Sequence, residues 1–377
     1  MGLIFDSIFY DLVAFFVFCA VGLHLYIRHT YSYWEKRNVK YITPNFPFGN
    51  LKDIMLLNKT FQQVFTDFYY STNEKILGLY TTTKPALLDD GETILGSNFE
   101  EYSAVYLLTH ITSFWETMNF REKNNIQRKD FMQLLLQLKN TGKVGADGKW
   151  NIKSTGNNAT GLTFHELAAQ AHSFLVAGFE TSATKISFFL YEIAKHPTIQ
   201  AKVQMEIDEI IKKYNGEITY EGVMEMKYLE SCIDESLRMY TPLPVLNREC
   251  TEEYKLPGTG LTLEKGTRIL IPVNAIHTDP KYFPEPETFK PERFLSGISN
   301  GAEIKGFTYV PFGEGPRICI GLKLGKLQTK IGIIFILSNF NIRLGERLQK
   351  MDKVVYEKKS LLLAIQGGLF LKISKRN

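Results

Sequence analysis

The sequence predicts a mainly α fold with small β-sheets, set behind one N-terminal transmembrane helix. Three observations carry this. Residues 8–27, "IFYDLVAFFVFCAVGLHLYI", form an apolar stretch with Asp11 and His24 as its only strongly polar members. That length just crosses the hydrocarbon core of a bilayer as a helix. Residues 163–196 run without proline from Thr163, which pairs with Glu166 as a capping box, to the stop at Pro197. From Cys319 on, "CIGLKLGKLQTKIGIIFILSNF" repeats Ile320, Leu324, Leu327, Ile331 and Ile334 every three or four residues, which predicts a helix with that face buried.

Composition narrows the class. The chain has 377 residues, 44% hydrophobic and 22% charged, as a globular protein does. A net charge of +4 without an arginine-rich tract does not point to nucleic acid. The four cysteines make no CxxC pair, so neither a disulfide framework nor a zinc site is expected, and a reducing compartment fits. Arg28, Lys36, Arg37 and Lys40 follow the apolar stretch, whereas Asp6 and Asp11 sit at its start. The excess of cations places everything from residue 28 onward on the cytoplasmic side. Basic residues ahead of the stretch and a small-residue cleavage site after it are not evident, so it reads as an uncleaved anchor.

The expected organisation is an anchor over 1–29, a basic, proline-punctuated linker over 30–50, and one domain over 51–377. Within the last, residues 76–88 read as two short strands. The region 141–161 is a polar, glycine-rich loop. Helices are expected over 163–196, about 198–213 and about 226–240. Residues 250–273 carry glycine turns at Gly258 and Gly266 and read as hairpin material.

The stretch "FGEGPRICIG", residues 312–321, holds the chemistry. Cys319 stands at the start of the last helix, where unpaired N–H groups favour an anion and lower a thiol's pKa. Gly313, Gly315 and Gly321 keep side chains away, so a large flat molecule can approach the sulfur, and Arg317 can meet a carboxylate on it. A zinc site needs further ligands at short spacing. A nucleophile needs a base, which a distant histidine could supply only through the fold. A buried structural cysteine is the commonest alternative, and the glycines and the cation argue against it.

Phe312, Gly315, Arg317, Cys319 and Gly321 match F-x-x-G-x-R-x-C-x-G, and the stretch resembles the signature of the haem-thiolate monooxygenases, the cytochromes P450. Three further motifs follow the same family order. "AGFETS" (177–182) resembles the oxygen-groove motif of the central helix, "ESLR" (235–238) the E-x-x-R pair, and "PERF" (291–294) the arginine-bearing loop. The stretches "YWEKRNVKY", "REKNNIQRKDFMQLLLQLKN" and "LVAGFETSATKISFFLYEIAKHP" are similar to those of insect microsomal members that handle foreign compounds. The resemblance covers roughly 31–88 and 118–377.

This resemblance implies a cofactor, haem b, with Cys319 as the axial thiolate. It implies that Arg248 and Arg317 meet the propionates, and that Ala177 and Gly178 form the oxygen groove. Glu180 and Thr181 would deliver protons; on residue type alone, an exposed acid beside a threonine bonded to its own helix is as good a reading. Glu235, Arg238 and Arg293 would form a buried network under the cysteine loop, where spacing alone gives a surface salt bridge. Thr241 stands where many relatives have proline. The implied partners are a lipophilic small molecule, the endoplasmic reticulum membrane and NADPH-cytochrome reductase, with or without cytochrome b5. Lys323, Lys326 and Lys330 are candidate docking charges, or simply a solvated face.

The resemblance lapses near residues 89–115, as though an internal segment had been deleted. The family helix whose W-x-x-x-R contacts a propionate belongs there, and Trp34, Trp115 and Trp150 do not supply it. Two functions are therefore expected as rivals: a monooxygenase, or a truncated, non-catalytic relative that holds haem weakly.

Overall fold

The structure is a computed structural model that describes residues 21–72, 76–81, 84–89, 116–128, 130–141, 163–295, 298–299, 302–303, 307–351, 353–358, 360 and 362–376. The chain forms two compact units, one of residues 1–99 with 182–377 and one of residues 100–181. In chain order the larger unit begins with α1 (21–30), a 3₁₀ turn at Glu35–Arg37, α2 (Lys52–Met55), α3 (Phe61–Tyr70), β1 (Ile76–Thr81) and β2 (Lys84–Asp89). The smaller unit holds α4 (116–123), α5 (Phe131–Thr141) and the first part of α6 (Phe164–Lys195). Then come α7 (Pro197–Lys213), α8 (Tyr220–Glu225), α9 (Lys227–Met239), β3 (Leu246–Glu249), β4 (Tyr254–Lys255), β5 (Thr262–Leu263) and β6 (Arg268–Ile271). The chain closes with α10 (Val273–His277), α11 (Glu292–Leu295), β7 (Ile298–Ser299), β8 (Ala302–Glu303), α12 (Leu322–Asn339), β9 (Phe340–Leu344), α13 (Glu346–Gln349) and β10 (Leu371–Lys375). The architecture is mainly helical with small sheets.

Helix starts follow their caps. Thr60 and Gln63 close a full capping box at α3. At α6 the Thr163 backbone N–H donates to Glu166 Oε2 at 2.8 Å, and Glu166 N–H returns to Thr163 Oγ1 at 3.4 Å. Pro197 takes the first position of α7, where a missing N–H costs nothing. The main core joins the second half of α6 (Phe189, Ile193) to α7 (Val203, Ile207), α9 (Leu229, Ile233, Leu237) and α12 (Ile333, Ile334, Leu337).

The largest sheet has the order β1-β2-β6-β3, antiparallel except for the β2–β6 pair. The expected hairpin material thus becomes β3 paired with β6, enclosing the small β4–β5 ribbon. Residues 31–50, read as a linker, pack on this sheet. Trp34 is fully buried and donates its indole N–H to the Leu79 carbonyl at 2.9 Å. Gly78 lies directly beneath it; a Cβ there would fall 2.6 Å from the indole ring, so only glycine fits.

The expected buried stripe on the last helix packs only in part: Ile334 is buried and Leu327 lies against the main core. Ile320, Leu324 and Ile331 are exposed, and Thr329, Lys330, Ile333, Ile334 and Leu337 face inward. Between 331 and 337 the helix is apolar on nearly every side, so periodicity cannot select a face. In the smaller unit Met118, Leu135, Leu136 and Leu167 form the core, and Arg121 grips Asp130 through two bonds of 2.8 and 2.9 Å.

Among the described residues no helix is long and apolar enough to cross a membrane. Most of the anchor expected over 8–27 lies outside the described residues; its end falls in α1, where Val21, Leu23, Leu25 and Tyr26 are exposed. Residues 90–115 and 142–162, which hold nearly all of the expected deletion point and of the polar loop, also lie outside them.

Candidate functional site

The site rests on a buried ion network. Glu235 and Arg238 sit three residues apart on α9, one turn of one face, and both are fully buried. Arg238 donates Nε and Nη2 to the two Glu235 oxygens at 2.8 and 2.9 Å. Arg293, from α11, donates Nε to Glu235 Oε1 at 3.3 Å, and the Lys290 backbone N–H adds a bond of 3.0 Å. One carboxylate faces two guanidinium groups, so the excess positive charge must be met by dipoles. Carbonyls meet it: Arg238 also donates to His277 O and Pro286 O, each at 2.8 Å, and Arg293 to Glu285 O at 2.9 Å.

The cysteine segment hangs from this network. Tyr309 donates its hydroxyl to the Asp234 carbonyl at 2.9 Å, and Val310 N–H donates to His277 Nε2 at 3.0 Å. Gly313 N–H then bonds Val310 O at 3.0 Å, and Cys319 N–H bonds Phe312 O at 2.8 Å. Gly313 (φ +71°) and Gly315 (φ +76°) turn the chain through a region that favours glycine. Cys319 is exposed and lies after the 3₁₀ turn Gly315–Arg317. It was expected to begin the last helix. The helix instead begins at Leu322, with Gly321 as its cap, because the glycine turns hold the chain non-helical up to that point.

The surroundings of Cys319 are open, apolar and cationic. A Cβ built on Gly315 would meet nothing within 4 Å, and one on Gly321 would lie 3.8 Å from Cys319 Sγ. Ile318 and Ile320 are exposed on either side of the sulfur, at 43% and 87%. Arg248, from β3, is buried and reaches the loop: its Nη2 is 3.4 Å from a Cβ built on Gly313. Burial, and then the charge of Arg317, hold its guanidinium below the usual arginine range. Two cations interacting in this way favour an anion beside them.

In the smaller unit, Ala177, Gly178, Glu180 and Thr181 lie on α6. Thr181 donates its hydroxyl to the Ala177 carbonyl, one turn back. Glu180 is exposed, and a Cβ built on Gly178 would meet nothing within 4 Å. Phe174, Leu175, Val176 and Phe179 on the same stretch are exposed too.

Two of the three lysines singled out for docking serve the interior instead. Lys330 is buried and bonds Glu230 at 3.2 Å and the Val223 carbonyl at 3.3 Å; Lys326 pairs with Asp234 at 3.2 Å. Helix α12 turns these side chains toward α8 and α9 because the adjoining Ile333, Ile334 and Leu337 are the positions packed in the core. Beside them Lys185 of α6, buried, points its Nζ at the Phe312 ring, 5.2 Å from the centroid. Burial pushes its pKa down to about 7, against the attraction of Asp234.

A family model, that of cytochrome P450, matches residues 92–370. The chain belongs to the cytochrome P450 family. It is 44% identical over 261 residues to cytochrome P450 6a9 of Drosophila melanogaster, covering 69% of this chain and 49% of that protein. It is 43% identical over 241 residues to a probable cytochrome P450 6d5 of the same fly, 64% of this chain and 47% of the relative. Cytochrome P450 6d3 of Musca domestica is 40% identical over 280 residues, 72% and 52%. The matched part of the chain thus spans about half the length of these curated relatives.

P450 proteins bind haem b through a cysteine thiolate, and the residues present fit that group. Cys319 offers an accessible sulfur, the bare glycines leave room for a flat ring, Ile318 and Ile320 offer apolar contact, and Arg248 with Arg317 suits an anionic edge. Residue patterns missed His277 and Tyr309, which tie the segment to α9. A lone histidine and a lone tyrosine carry no spacing signal.

Two outcomes follow for variants of these residues. Arg238→Ala leaves Glu235 only the 3.3 Å bond from Arg293 and the Lys290 N–H, and leaves the His277 and Pro286 carbonyls without their donor. At a cost of about 3–5 kcal/mol it should yield haem-free, aggregating protein by absorbance and size-exclusion chromatography, and normal haem yield would show a dispensable pair. The folded protein binds the Lys185 proton less tightly than the unfolded chain. Stability should therefore rise with pH from about 7 toward the ordinary lysine value of 10.5. Lys185→Met should stabilise the protein at pH 7 and flatten that rise in urea titrations.

Proposed function

We propose that this chain is a haem-thiolate monooxygenase that inserts one oxygen atom of O2 into a small lipophilic substrate. The observation that carries the reading is the exposed Cys319 in its glycine-turned segment, with Arg248 and Arg317 beside it. Haem bound there supplies the iron at which dioxygen is reduced, and a thiolate ligand pushes electron density that favours O–O cleavage.

The chain's own residues do the rest. Cys319 would hold the iron as its thiolate. Arg248 and Arg317 would hold the propionates, and Phe312, Gly315 and Gly321 would shape the loop around the ring. Ala177 and Gly178 leave backbone accessible on α6. Glu180, exposed to solvent, and the Thr181 hydroxyl would relay protons from water to the dioxygen being reduced. Thr181 must first turn its hydroxyl away from the Ala177 carbonyl. Glu235, Arg238 and Arg293 hold the segment that presents the sulfur.

Electrons come from NADPH-cytochrome reductase, with cytochrome b5 as a second donor, since no nucleotide-binding motif stands in the sequence. An N-terminal anchor over residues 8–27 holds the protein on the cytoplasmic face of the endoplasmic reticulum, where lipophilic substrates collect. One observation favours a second reading, a truncated and non-catalytic relative: the match spans about half of each curated relative. Water must be excluded for coupled oxidation, and a shortened chain has less wall with which to exclude it.

The test is spectroscopic. The reduced carbonyl complex of the purified chain should show the red-shifted Soret band of thiolate ligation, and Cys319→Ala should abolish it while haem content falls. An unchanged band in the variant ends the proposal. A thiolate band without NADPH-driven product on addition of reductase would select the second reading.

A further inference from the structure

We propose that His277, fixed as its Nδ1–H tautomer by Thr241, is the positioning residue that sets the segment carrying Cys319. Its consequence for haem rests on the function proposed above; the geometry stands by itself. His277 ends α10 and is fully buried. A backbone N–H can only donate, so Val310 N–H, 3.0 Å from Nε2, requires that nitrogen to be bare. Thr241 spends its own proton on the Leu237 carbonyl at 2.8 Å, which leaves its oxygen as an acceptor. Nδ1 lies 3.0 Å from that oxygen and must therefore carry the ring's proton. The two contacts together admit one protonation state, the neutral ring with hydrogen on Nδ1.

The groups around the ring hold that state. Arg238 of α9 donates to the His277 carbonyl, Phe283 meets the ring edge-on with centroids 6.2 Å apart, and Tyr309 lies tilted over it at 5.2 Å. Burial, and then the Arg238 charge, push the His277 pKa down to about 3, so the ring stays neutral wherever the protein is used. His277 thus receives the ion network at its carbonyl and the cysteine segment at its ring. From Val310 the bonds continue by way of Gly313 to Phe312 and Cys319. The threonine at 241 does what proline could not, because proline has no hydroxyl to accept the Nδ1 proton.

Hydrogen exchange of the full chain as purified tests this, read by mass spectrometry on peptides spanning 307–322. Glutamine can place an acceptor near the Nε2 position, whereas asparagine reaches only the Nδ1 position. His277→Gln should therefore exchange within about twofold of wild type and His277→Asn about tenfold faster. The milder pair guards against unfolding: Thr241→Ser should match wild type, and Thr241→Val should exchange faster. The red-shifted carbonyl band should fall in His277→Asn and Thr241→Val and survive in His277→Gln and Thr241→Ser. Equal exchange in the two His277 variants, or in the two Thr241 variants, would overturn the proposal. If the wild type shows no such band, the haem reading fails, and exchange still decides this one.

Discussion

The Glu235 carboxylate holds together two segments that are remote in sequence, α9 and residues 290–293. It binds Arg238 on its own helix, Arg293 on α11, and the backbone of Lys290 between them. Arg238 passes the constraint on to the His277 and Pro286 carbonyls. The contacts run from 2.8 to 3.3 Å and all three charged side chains are buried, so moving any one segment would leave a charge with fewer partners. A surface pair could slide at little cost; this one cannot.

A buried ion network is weak evidence for stability, because taking the charges out of water offsets most of their attraction. Its use here is positional. Around it the interior carries further polar groups that a packing argument alone would not place. His277 bridges two backbone segments, and Tyr309 bonds the backbone of α9. Lys330 is bonded inside the helical core, and Lys185 is buried behind Phe312. An ensemble of near-native packings could satisfy the apolar residues. His277, Tyr309 and Lys330 find their partners in this arrangement, whereas Lys185 Nζ and Arg293 Nη1 are buried without a hydrogen bond. Of the satisfied groups, His277 and Tyr309 tie down the segment carrying Cys319.

Much of this was legible in the sequence, for physical reasons that differ by element. Helix α6 was legible because Thr163, Glu166 and Pro197 mark its ends chemically. Strands β1 and β2 were legible as two short runs within residues 76–88. The cysteine segment was legible because glycines flank a lone thiol and a cation. The buried face of α12 was legible only at Leu327 and Ile334, since a helix apolar on nearly all sides leaves the choice to its neighbours. Lys326 and Lys330 read as solvated charges because nothing local reveals that Glu230 and Asp234 wait on another helix. Nor could spacing show His277, whose partners Thr241 and Val310 lie 36 and 33 residues away.

The central claim is that the network around Glu235 positions the cysteine segment rather than stabilising the fold. The direct measurement removes all three charges together, as Glu235→Met/Arg238→Met/Arg293→Met, and compares urea midpoint with the carbonyl spectrum. Apolar replacement of a whole ion group leaves no stranded charge, although the Lys290 N–H and the His277, Glu285 and Pro286 carbonyls lose their partners, so the midpoint should fall less than in Arg238→Ala. The red-shifted Soret band should nevertheless be lost, because His277 and the 286–293 segment lose the donors that fix them. A triple variant that keeps the full thiolate band would contradict this account.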